Sequence, residues 1–172
     1  MERYLPRVAD GELERRLRAI GAVLIEGPKA CGKTKTASQY AKTTFRLDED
    51  PAARALIKNA PDQLFDNPMP ILFDEWQVEP TLWNRVRRQV DDRQGKGLYI
   101  LTGSATPNDD ATRHSGAGRF GVIDMRPMSL FESGQSNGQV SLSALVDGEE
   151  QRGNGQHLSF IDVVKRIVIG GW

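Results

Sequence analysis

The feature that most constrains the fold is an apolar run, Ala22-Val23-Leu24-Ile25, leading through Glu26 into Gly27-Pro28-Lys29-Ala30-Cys31-Gly32-Lys33-Thr34. That octet has the spacing Gly-x-x-x-x-Gly-Lys-Ser/Thr, which a chain of this length meets by chance on the order of once in a hundred. Its context makes it a phosphate loop: a strand-sized run precedes it and helix-compatible residues from Lys33 to about Lys42 follow. Glycines let successive backbone N–H groups turn inward as an anion nest, and a helix start adds positive potential. Lys33 is then expected to reach the β- and γ-phosphates and the Thr34 hydroxyl to ligate Mg²⁺. The nucleotide-binding segment is taken as Gly27, Pro28, Lys29, Ala30, Cys31, Gly32, Lys33, Thr34 and Lys35.

A second motif follows in the right order. Pro70-Ile71-Leu72-Phe73 runs directly into Asp74-Glu75, so two carboxylates end a buried strand. With that strand placed beside the first, Asp74 is assigned to the metal and Glu75 to the attacking water, which needs a base within hydrogen-bond reach. The plainer alternative is that Asp74 caps the next turn.

The remaining pattern alternates strands and helices, which argues for an α/β fold with a parallel sheet covered on both faces. Asp10 is read as the cap of a helix bearing Leu13, Leu17 and Ile20. Thr44 to Leu47 is a short strand candidate, and Pro51 opens a helix to about Lys58. Pro80 opens another, with Leu82, Val86 and Val90 on one stripe. Leu98 to Leu101 and Gly121 to Met125 read as further strands. From Ser133 to His157 the chain is rich in Gly, Ser, Asn and Gln and reads as a mobile connection. Ser159 and Asp162 then have capping-box spacing ahead of an amphipathic helix ending at Gly170-Gly171. The division expected is an ATPase core over 1–132, a connection over 133–158 and the start of a helical or winged-helix region over 159–172. With Gly-Gly-Trp following that last helix, the chain reads as a fragment.

Several other residues carry weaker signals. Thr102 and Ser104 end a strand where a hydroxyl can touch the γ-phosphate or the water, Ser104 being preferred; a Thr-Gly-Ser turn fits equally simple chemistry. Arg113 and Arg119 flank Ser-Gly-Ala-Gly, and either suits an arginine finger supplied across a subunit interface, as does a solvated surface role. Arg85, Arg87, Arg88 and Arg93 are accompanied by Asp91 and Asp92, which favours a solvated helix face over nucleic-acid contact. Trp76 and Trp83 are read as packing residues. Cys31, beside a lysine and a helix start, is either an acidic reactive thiol or a tolerated small side chain.

Composition removes other classes. With 23 basic and 23 acidic residues, net charge gives no argument for nucleic acid. One cysteine excludes an internal disulfide and a cysteine-based zinc site, and two histidines form no ligand cluster. No run approaches the roughly 20 apolar residues of a membrane span, and Met1-Glu2-Arg3-Tyr4 opens no secretory signal. A cytoplasmic location, without membrane, is the expectation.

Taken in order, GPKACGKT, ILFDEWQ, ILTGSATP, SGAGRF and MRPMSLFES resemble the bacterial and archaeal AAA+ family whose members carry a C-terminal domain of unknown function numbered 4143. The resemblance covers nearly all of the chain. It implies a P-loop NTPase three-layer sandwich with sheet order 5-1-4-3-2, ATP as ligand and Mg²⁺ as cofactor. It also implies Lys33 and Thr34 at the phosphate and magnesium positions, Asp74 and Glu75 at the magnesium and water positions, Ser104 as first sensor and Arg119 as the arginine of the Gly-Arg segment. Gln77 matches a family glutamine to which no role is attached. Members run on into a winged-helix region and a nuclease-like domain, so nucleic acid is expected only through a domain this chain lacks. Lys29 stands where arginine is commoner.

The resulting expectation is an AAA+ core that hydrolyses ATP, slowly in isolation, and that forms a homo-oligomer if an arginine acts in trans. A nucleotide-dependent switch module with little turnover is the first alternative and a P-loop kinase the second; consecutive Asp74-Glu75 favours water as acceptor. No Asn-Lys-x-Asp segment supports GTP.

Overall fold

The computed structural model describes residues 4–103, 116–153 and 158–170. They divide into two compact units, one of Val8–Arg126 and one of the described residues of Met1–Arg7 and Pro127–Trp172. In the first unit the order is α1 (Val8–Ala19), β1 (Ala22–Glu26), α2 (Lys33–Ser38), β2 (Thr43–Arg46), α3 (Pro51–Asn59), α4 (Asp62–Phe65), β3 (Ile71–Asp74), a 3-10 turn (Trp76–Val78), α5 (Thr81–Arg93), β4 (Tyr99–Thr102) and β5 (Phe120–Asp124).

The five strands form one parallel sheet in the order β2-β3-β4-β1-β5. Read from the other edge this is the expected 5-1-4-3-2. Strand alternation sends neighbouring side chains to opposite faces, and both faces are buried. Ala22, Leu24, Ile71, Phe73, Tyr99 and Leu101 pack with α3, α4 and α5. Val23, Ile25, Leu72 and Ile100 pack on the other side with Leu13 of α1 and Ala37 of α2. Each fully buried aliphatic or aromatic side chain contributes about 1.5–3 kcal/mol, so these apolar runs hold the three layers together.

One expectation is corrected by this order. The strand carrying Asp74 is not beside β1; β4 lies between them, with Asp74 in register with Thr102 and Thr102 with Ile25. Parallel neighbours are joined through crossovers, so adjacency along the chain does not dictate adjacency in the sheet.

Local boundaries also differ for identifiable reasons. The first helix starts at Val8, which puts Asp10 inside its first turn and not at the cap. There its carboxylate still suits the positive helix end, while the Asp10 carbonyl accepts from the Tyr40 hydroxyl at 3.1 Å. Helix α2 stops at Ser38 and not near Lys42, because the Lys42 and Thr43 N–H groups turn to the Pro70 carbonyl and begin β2. Asp50 caps α3 through the Ala53 N–H at 2.9 Å, with Pro51 at its start.

Beneath the sheet, Phe65 meets Phe73 and Tyr99 edge-on at centroid distances of 5.7 and 5.5 Å. The Tyr99 hydroxyl is buried with no hydrogen-bond partner among the described residues. Burial pushes its pKa up to about 12; nearby Arg93 opposes the shift and Asp66 adds to it.

In the second unit, Arg7 Nε donates to Glu132 Oε1 at 3.0 Å. Leu142–Val146 forms a short helix (α6) with Ser141 as its cap. Phe160–Ile169 forms α7 with the expected reciprocal Ser159–Asp162 capping box, and the Ser159 hydroxyl and N–H hold the Asp162 carboxyl below its ordinary pKa. Among the described residues no helix is long and apolar enough to cross a membrane.

Candidate functional site

β1 delivers the chain at Gly27 into a loop whose backbone only glycine-rich sequence allows. Gly27 has φ +147°, and a Cβ there would lie 2.1 Å from the Met125 carbonyl oxygen. Ala30 at φ 64° and Gly32 at φ 99° also have positive φ, the kind of backbone that anion nests use. Because α2 has only six residues, its dipole adds little positive potential at the loop.

Lys33 is buried, at 5% exposure, and its Nζ donates to the carbonyls of Gly27 and Pro28 at 2.9 and 2.8 Å. The ammonium is thus folded over its own loop, where a phosphate would meet it. Lys29 and Lys35 face solvent, as does the Pro28-Lys29-Ala30 stretch. Cys31 points the other way: its thiol is buried in the core and donates to the Met125 carbonyl at 3.6 Å. The reactive-thiol reading is therefore corrected, since a sulfur packed against Ile123 and Met125 is shielded from solvent.

The two motifs meet at Asp74, which is 6% exposed. Its Oδ1 accepts from the Thr34 hydroxyl at 2.8 Å and also from the Thr102 hydroxyl. Thr102 is the register partner of Asp74 on β4, so both side chains leave the same face at the same level. Asp74 caps no following turn, and Thr102, ranked second by sequence, is the hydroxyl that touches the acidic motif. Ser104 and Arg113 lie outside the described residues. The signal for Thr102 was its position at the same strand end as Asp74, on the strand that the expected sheet order puts beside β3; the register that pairs the two residues came from the structure.

Glu75 follows in left-handed backbone, φ 53° and ψ 47°. For a residue other than glycine this costs on the order of 1–3 kcal/mol and marks a position held by its surroundings. The surroundings are Trp76, buried 5.3 Å from the Trp83 ring, and the 3-10 turn that follows. Both tryptophans are packing residues, as expected. Gln77 Nε2 donates to Glu75 Oε2.

Arg119 is not brought to this site. It precedes β5 at the end where Phe120 pairs with Ala22, whereas the loop leaves the opposite end at Glu26, roughly 13 Å further along at about 3.3 Å per residue. Its Nε donates to Asp91 Oδ1 at 2.6 Å. It therefore lies away from the phosphate loop of its own chain, and a surface role beside Asp91 fits this placement as well as a role across an interface. Three of the α5 arginines are engaged locally: Arg85 with the Lys58 carbonyl, Arg87 with Asp91, and Arg93 with Asp66, Gln89 and the Phe65 carbonyl.

The profile of the AAA domain family matches residues 20–133, from just before β1 to beyond β5. The chain belongs to the AAA domain family. This AAA domain is accordingly a nucleotide-binding, ATPase-like P-loop unit, and the match spans both motifs and the whole parallel sheet. No curated protein sequence is significantly similar to the chain.

Proposed function

We propose that this AAA domain binds ATP with Mg²⁺ and hydrolyses its β–γ phosphoanhydride. The observation that carries the reading is the bond from Thr34 to Asp74, which joins the end of the phosphate loop to the acidic strand end, with the Lys33 ammonium held over the loop.

The donor set fits magnesium. A threonine hydroxyl and a carboxylate oxygen 2.8 Å apart are hard oxygen donors, and Mg²⁺ takes one or two protein oxygens together with phosphate oxygens and water. Thr34 and Asp74 would hold it, and bound there it neutralises charge on the phosphate oxygens. Thr102, by donating to Asp74, fixes the rotamer of that carboxylate.

The residues act as follows. Inward N–H groups of the Gly27–Thr34 loop bind phosphate oxygens, and Lys33 exchanges the Gly27 and Pro28 carbonyls for the β- and γ-phosphates. Glu75 accepts a proton from water as the water oxygen bonds to the γ-phosphorus and the bond to the ADP oxygen breaks, giving ADP and phosphate. Arg119, if supplied by a second copy, stabilises the charge that develops on the transferred group. The resemblance to proteins with a C-terminal 4143-type domain belongs to the same proposal, as does any nucleic-acid partner reached through such a domain.

The test is phosphate release from ATP and Mg²⁺ by the 172-residue chain, with calorimetric ATP binding and Glu75→Gln as control. Turnover that disappears in Glu75→Gln with binding retained supports the reading. Binding without turnover by the unaltered chain would favour a nucleotide-dependent switch.

A further inference from the structure

Glu75 and Gln77 flank Trp76, and the burial of that indole fixes the turn they share. The Val78 N–H bonds to the Glu75 carbonyl at 3.0 Å, closing the turn and bringing the Gln77 amide back onto the Glu75 carboxylate. At the other end of the same amide, Gln77 Oε1 is buried and has no hydrogen-bond partner among the described residues. Gly103, the residue after β4, packs against it: a Cβ at Gly103 would lie 2.7 Å from Oε1 and 3.1 Å from Trp76 Nε1.

A side chain serving only to fill this space would be better apolar, because an amide here leaves an acceptor unsatisfied. What the amide adds is a donor to Glu75. Its orientation follows from chemistry, since turning the carbonyl toward the carboxylate would set two acceptors against each other. The absence of a side chain at Gly103 leaves the amide room.

We propose that Gln77 is a positioning residue for hydrolysis: its amide grips Glu75 Oε2 and leaves Oε1 of that carboxylate directed to the attacking water. Glu75 has two flexible bonds beyond Cβ and a left-handed backbone, so nothing in its own conformation fixes the carboxylate plane; the grip does. The inference rests on the reading of Glu75 as the base.

The experiment compares the full chain with Gln77→Met, which keeps the length and volume and removes the donor. ATP–Mg²⁺ affinity by calorimetry should stay within about twofold of wild type, while kcat falls about a hundredfold, the cost of a catalytic group misplaced by an ångström. A crystal structure of Gln77→Met with a non-hydrolysable ATP analogue should show the Glu75 carboxylate turned from its wild-type place. An unchanged kcat in an active protein overturns the positioning role and leaves hydrolysis standing. If the wild-type chain binds ATP without turnover, the hydrolysis reading fails by itself. The crystal then decides the grip, and an unmoved Glu75 overturns it.

Discussion

The Thr34 hydroxyl donates to Asp74 Oδ1 across 2.8 Å, tying the first turn of α2 to the end of β3 over the intervening strand β4. The Thr102 hydroxyl of that intervening strand donates to the same oxygen. Two threonines from different elements therefore fix one carboxylate, and three segments distant in sequence meet at it.

Thr102→Val removes one of these donors with almost no change of shape. A hydrogen bond to a charged group contributes about 1.5–3 kcal/mol, so the Mg²⁺ concentration giving half-maximal ATP binding should rise about tenfold or more. Titration of Mg²⁺ at fixed ATP analogue, followed by calorimetry, reads this. An unmoved midpoint would mean that Asp74 is held without Thr102.

Lys33→Ala should weaken nucleotide binding, because the mutation removes an ammonium seated over the phosphate loop. Glu75→Gln should leave affinity near wild type and abolish phosphate release. Fluorescent-nucleotide titration of both variants separates the roles, and equal loss of affinity in the two would remove Glu75 from its assignment as base.

If Arg119 acts in hydrolysis, its distance from its own chain's loop makes a neighbouring subunit's nucleotide the target. Neither Arg119→Ala nor Glu75→Gln alone should turn over ATP well, but a mixture should recover part of the activity, since some sites then combine an intact Glu75 with an intact Arg119 from the other copy. Phosphate release that stays at the level of the separate variants would leave Arg119 as the partner of Asp91 and nothing more.

Tyr99 ionises at about 12 in the folded chain against an ordinary 10.0, chiefly because its hydroxyl is buried. Above pH 10 the unfolded chain loses this proton while the folded chain keeps it, so stability is complete below pH 10 and falls as pH rises toward 12. Tyr99→Phe should flatten that part of the curve. At pH 7 it should change stability by no more than about 1 kcal/mol, because the hydroxyl has no partner among the described residues. Tyr40, raised in the same direction by burial and by Asp10 and Glu14, contributes equally to both proteins. Urea denaturation at pH 7 and pH 11 measures the difference; an equal loss of stability in both proteins would show that Tyr99 does not carry it.

Much of this was legible in the residues. Gly27, Gly32 and Lys33 announce the loop because a backbone that cradles phosphate needs left-handed residues at fixed spacing, and that is a local requirement. The runs at Ala22, Ile71 and Tyr99 announce buried strands because continuous apolar stretches bounded by turns have few other uses. Their ends were legible to within a residue or two, failing where a tertiary partner intervened, as when Pro70 captures the N–H groups of Lys42 and Thr43.

Sequence by itself determined which chemistry is present: a phosphate loop, a carboxylate pair and a parallel α/β frame, each encoded in contiguous residues. Only the tertiary structure decided how they are joined. It set the register that gave Thr102 to Asp74, turned Cys31 into the core, laid the Gln77 amide on Glu75 and put Arg119 at the far end of β5. These are consequences of strand order, register and the burial of Trp76, which depend on contacts between segments far apart in the chain and leave no local spacing to read.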